Sequence, residues 1–135
     1  MSTAVFADTF HFLALLNSRE AAHARAIAAS CIPGREFVTT EFVMLELPDS
    51  LSRPGDRLEF LALRASIVAD PRFRVVAAST ALLDRGLGLY RARLDKEWSL
   101  TNCTSFVVMA EERISEALTG DQHFEQAGFR AILKP

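Results

Sequence analysis

Apolar residues fall along this chain in short runs separated by longer, helix-like stretches. "VFA" at 5–7, "EFVTT" at 36–40, "FRVV" at 73–76, "EALTG" at 116–120 and "FRAIL" at 129–133 are brief and rich in apolar residues, and several lack a clean polar alternation. Each predicts a short strand. Between them the pattern has helical density over 10–17 and 19–30, in "EFVMLEL" with Thr40 as its N-cap, over 56–69, over about 79–94, over about 102–112, and in "DQHFEQAG", which Gly128 closes. Leu58, Leu61, Ala65 and Val68 recur at helical spacing, as do Leu83, Leu87, Tyr90 and Leu94. "IPGR" breaks the second helix and "SRPGDR", 52–57, reads as a loop. Strands that alternate with helices and carry apolar residues on both faces predict an α/β fold with a parallel sheet covered on both sides.

The chain of 135 residues suits one domain over 1–135, large enough to bury a core without staples. A net charge of −2 lacks the strong basic field of a general nucleic-acid binder. Of the 15 basic residues, only Lys96 and Lys134 are lysine. The arginines suit forked contacts to phosphate, and equally a compositional bias. Cys31 and Cys103 have no motif spacing, so two free thiols are expected. Asp8 and His11 interrupt the first apolar run, which has no basic segment ahead of it and does not read as a signal peptide. No stretch is long and apolar enough to span a membrane. A cytoplasmic protein is expected.

The chemistry lies in where the acids fall. Asp8 follows the first strand directly, and Asp121 follows the fourth after a glycine. Glu46 lies on the helix after the second strand, and Asn102 opens the helix that precedes the fourth. Open parallel sheets bind ligands beyond the carboxyl ends of their strands, so all four would share one edge. Carboxylates gathered without a cation repel one another; a cluster of hard oxygens suits Mg²⁺ or Mn²⁺. Each acid has a plainer role open to it. Asp8 and Asp121 would serve as N-caps, Glu46 as an exposed helix residue, and Glu41, Asp49 or Glu111 would make similar clusters.

With these residues in view, the chain resembles the PIN domains, and more closely the VapC-type toxins of prokaryotic toxin–antitoxin pairs. "VFADTFHFLALLN", "FVTTEFVMLEL", "YRARLDKEWSLTNCTSFVVM" and "ALTGDQHFEQAGF" carry the resemblance through nearly the whole chain. It implies a three-layer fold with about five parallel strands flanked by helices, and metal-dependent hydrolysis of an RNA phosphodiester by an activated water. Asp8, Glu46, Asn102 and Asp121 would hold Mg²⁺ or Mn²⁺, and Thr9 and Thr101 would position water or phosphate. Arg53, Arg91, Arg93 and Lys96 are candidate RNA contacts, although a solvated helix face accounts for most of them as well. The resemblance also implies a small antitoxin partner and a homodimer. His11 and His123 lie near the motifs and read as peripheral.

Two positions depart from the family pattern. Asn102 stands where the family has Asp after "SLT". Three readings follow: a nuclease with a weakened site, a degenerate PIN domain that only binds protein or RNA, or a site disabled deliberately by an Asp-to-Asn change. Pro48 falls where the family helix continues, so that helix would kink or end at Leu47, leaving the aim of Glu46 in question. An unrelated receiver-like α/β domain is a third class; no strand-end acid pair with a suitably placed Lys supports it.

Overall fold

The structure is a computed structural model that describes residues 3–51 and 53–135. The first residue of the expected 52–57 loop therefore lies outside the described set. The elements run β1 (Val5–Ala7), α1 (Thr9–Leu16), α2 (His23–Ser30), β2 (Phe37–Thr40), α3 (Glu41–Asp49), α4 (Pro54–Ala69), β3 (Phe73–Val76), α5 (Thr80–Ala92), α6 (Leu100–Glu111), β4 (Glu116–Leu118), α7 (Gln122–Gln126) and β5 (Arg130–Ala131).

The five strands form one parallel sheet in the order β3-β2-β1-β4-β5. This is the α/β sheet flanked by helices that the sequence predicts. β1 is innermost: Phe6 pairs with Val38 on one side and Ala117 on the other. A central strand covered on both faces has no solvent side, which is why "VFA" is buried at every position. The chain builds outward from β1 through β2 to β3, then returns to the opposite side of β1 for β4 and β5. That reversal makes the carboxyl ends of β1 and its neighbours a switch point, where open parallel sheets bind ligands.

Several boundaries and faces differ from the expectation. α2 begins at His23 rather than 19, because turns occupy the residues before it. α4 begins at Pro54, so most of the expected loop is helical; Pro at the first helical position loses no bond the helix could have made. The Leu58, Leu61, Ala65 and Val68 stripe faces outward, with Leu58 71% exposed. A second stripe, Phe60, Leu63 and Ile67, is the one packed on the core. On α5 the expected stripe is likewise displaced: Leu82, Gly86 and Leu89 turn inward, while Tyr90 and Leu94 are exposed. Pro48 lies inside α3, which continues to Asp49. Pro48 has no N–H to give the Met44 carbonyl four residues back, yet the helix does not end at Leu47. Cys31 is exposed, Cys103 buried, and both are free thiols. No helix of the described residues is long and apolar enough to cross a membrane.

α5 and α6 approach closely at Gly86, where an added Cβ would stand 2.6 Å from Thr104 Cγ2. Gly86→Ala should destabilise the fold by about 1–3 kcal/mol in urea unfolding despite its better helix propensity. Adding Thr104→Ser, which removes only that methyl, should restore most of the loss.

Candidate functional site

Asp8 is the residue between β1 and α1, so the turn from strand to helix sets its carboxyl at the sheet edge. It occupies the N-cap position of α1 in extended conformation, yet its side chain makes no cap bond. Its Oδ2 instead accepts from the Thr119 hydroxyl at 2.9 Å. The same Thr119 oxygen accepts the Asp121 backbone N–H at 3.1 Å. One buried threonine thus ties the acid after β1 to the acid after β4. Gly120 makes this possible: a Cβ there would come within 2.6 Å of the Phe10 ring, so the chain passes flat over α1.

Glu46 reaches the same neighbourhood from α3. Thr9 donates to its Oε1 at 2.6 Å, so Thr9 holds a carboxylate. Asp121 does cap a helix: its Oδ1 accepts the His123 N–H at 2.8 Å, and His123 Nδ1 lies 3.2 Å from the same oxygen. The plain capping role therefore holds for Asp121 but not for Asp8, and His123 touches the cluster.

Asp8 is 4% exposed. Burial pushes its carboxyl up to about 7, against the pull of the Thr119 and Thr9 hydrogen bonds, and the charges of Glu46 and Asp121 push the same way as burial. Its charged neighbours include two more acids, and the shared Thr119 hydroxyl joins Asp8 to the Asp121 backbone. Among the described residues, however, no three His, Cys, Asp or Glu side chains are grouped closely enough to hold a metal ion. As a donor set the residues fit a hard cation: all donors are oxygen, and the buried carboxylate has like charges for company. They form a gathered set and not a closed cage.

Asn102 is buried and committed elsewhere. Its Oδ1 accepts the Ser99 N–H at 3.1 Å while the Ser99 hydroxyl accepts the Asn102 N–H at 3.0 Å, a reciprocal capping box. Thr101 enters through its carbonyl, which accepts from Thr104. The RNA-contact candidates do not form one free cationic surface. Arg53 pairs with Asp56 at 3.2 Å, Arg93 pairs with Asp95 and lies over Trp98, Arg91 is exposed on α5, and Lys96 is half-buried. His11 is fully buried; its Nδ1 has no partner and its Nε2 lies 3.3 Å from Ser30 Oγ. The residue that sequence reasoning missed is Thr119. Its only signal was a hydroxyl two positions before the acid in "LTGD".

No family model matches the chain, and no curated protein matches it. Among solved structures it is similar to the crystal structure of Mycobacterium tuberculosis VapC20, a Sarcin-Ricin loop cleaving toxin. The two share 29% identity with a TM-score of 0.79, over 93% of this chain and 95% of that one.

The shifted groups give opposed pH dependences in metal-free protein. Folded Asp8 keeps its proton to about pH 7 but releases it near 3.8 when unfolded, so its contribution falls as pH rises through that window. Burial lowers His11 from 6.5 to about 4, so its contribution falls as pH drops through that range. In thermal melts with chelator, the stability of wild type relative to Asp8→Asn should fall as pH rises from about 4 to 7 and be level above about pH 7.5. Below about pH 6.5 the variant should lose stability more steeply than wild type, because the offsetting carboxyl is gone.

Proposed function

We propose that this chain is a metal-dependent endoribonuclease of the PIN/VapC toxin type. The observation that carries the reading is the Thr119 clamp, which draws Asp8 and Asp121 together at the end of the central strand while Thr9 orients Glu46. The likeness to VapC20, a Sarcin-Ricin loop cleaving toxin, supports a ribonuclease of that kind. RNA hydrolysis is the reaction it favours for this chain.

Asp8, Glu46 and Asp121 would hold Mg²⁺ or Mn²⁺, with the Asn102 amide oxygen as a neutral fourth donor. The chemistry such an ion supplies when bound is activation of a water and stabilisation of charge on the leaving oxygen. The chain's own contribution is positional. Thr119 fixes the Asp8 carboxyl, Thr9 fixes Glu46, and the α7 amide keeps Asp121 from turning away. Burial of Asp8 strengthens its attraction for a cation, because little water competes there. A cognate antitoxin and a homodimer belong to the same proposal; the outward apolar residues Leu45, Leu58, Leu61 and Val68 support a protein partner.

One observation favours a second reading, in which the domain binds partners without cleaving: Asn102 brings no charge and its oxygen already serves the α6 cap. Manganese titrations separate the two. Asn102→Asp should raise Mn²⁺ affinity and lower the stability of metal-free protein, since a fourth carboxylate adds repulsion. Absence of metal binding even in that variant would establish the binding-only reading. With structured RNA and Mn²⁺, Asp8→Ala should abolish cleavage, and Thr119→Val should lower it by about 10- to 100-fold by releasing the Asp8 carboxyl.

A further inference from the structure

The segment leading into α6 holds a braced stack that the proposed cleavage does not use. Trp98 is the single tryptophan of the chain. Its indole N–H donates to Gln126 Oε1 at 3.0 Å, and its ring packs edge-on against Phe106 with centroids 5.0 Å apart. The Arg93 guanidinium lies over that ring, 5.4 Å from its centroid. Arg93 Nε and Nη2 donate to the two oxygens of Asp95, each at 3.0 Å. A guanidinium engaged this way has given its Nε–Nη2 edge to Asp95, which also offsets its charge. It keeps a flat delocalised plane beside the indole, on a side chain that is 41% exposed.

Beside this plane is a cavity of about 260 Å³ lined by Tyr90, Arg93, Leu94, Lys96, Glu97, Trp98 and Cys103. Tyr90 and Leu94 are exposed at its rim. Trp98 and Cys103 bracket the Ser99–Asn102 capping box, so the cavity adjoins the helix start that carries Asn102. Unpaired RNA bases are recognised by stacking on aromatic rings and arginine planes, with a nearby cation for the backbone.

We propose that this cavity receives one unpaired nucleobase of an RNA strand, stacked on the open face of Arg93, with Tyr90 at its side and Lys96 beside its phosphate. The inference rests on the reading above that the ligand is RNA, but not on cleavage. A phosphate-only site would leave the Arg93 Nε–Nη2 edge free; here Asp95 occupies it.

Because Trp98 is the only tryptophan, its fluorescence reports on this stack alone. The probes are a short oligoadenylate and an abasic ribose-phosphate strand of equal length, titrated with chelator present. Oligoadenylate should quench saturably and bind on the order of 10-fold more tightly than the abasic strand. Arg93→Lys keeps the charge but loses the plane, and should erase that preference. Asp95→Asn frees the fork, and should raise abasic-strand affinity while narrowing the preference. Equal binding of the two strands by wild type, an unchanged preference in Arg93→Lys, or no quenching by oligoadenylate would each overturn the proposal. Base-selective binding by a protein that does not cleave RNA with Mn²⁺ would sink the nuclease reading and leave this one standing. Cleavage without base-selective binding would do the reverse.

Discussion

A carboxyl group buried at the end of the innermost strand is the constraint around which this molecule is arranged. Taking Asp8 out of water disfavours its charge, and the fold then brings Glu46 and Asp121 near it, which disfavours the charge further. Only two hydrogen bonds pull the other way, from Thr119 and from the Thr9 amide. A protein assembled for stability alone would place a cation or an apolar residue there. The cost is tolerable because the rest of the core is apolar and continuous, from Phe6 and Phe37 through Phe106 and Phe124.

The threonines give this arrangement its precision. Thr119 and Thr9 each offer one hydroxyl proton, and each directs it to a carboxylate oxygen. A hydroxyl neutralises nothing, so it orients an acid without reducing its appetite for a cation. A lysine or arginine in either place would have closed the cluster as an internal ion pair. Asn102 stands apart from this logic. Its oxygen holds the first turn of α6, a task an amide and a carboxylate perform equally well. An amide at this position holds the local backbone and brings no charge.

The arginines divide similarly between charge and shape. Arg53 and Arg93 both face partners of opposite sign close by in sequence. What Arg93 still presents to a ligand is its surface, backed by an indole that Gln126 and Phe106 hold still. A basic residue read from sequence as a candidate RNA contact thus has its charge offset by Asp95 and its guanidinium set over an indole.

Local patterning was enough for the order of the elements, the parallel sheet, the Thr40 cap and the acids at strand ends, because these follow from periods and turn residues within a dozen positions. Patterning failed where two answers fitted the same period. On α4 and α5 each helix carries two apolar stripes, and packing against neighbouring elements, β3 and α3 for α4 and α6 for α5, selects one of them. The link between Asp8 and Asp121 runs through Thr119, 111 positions from Asp8. The residues around Asp8 in the chain do not record it. Which hydroxyl meets which acid, and whether a guanidinium keeps its fork or its face, are settled by contacts that exist only once distant segments have packed together.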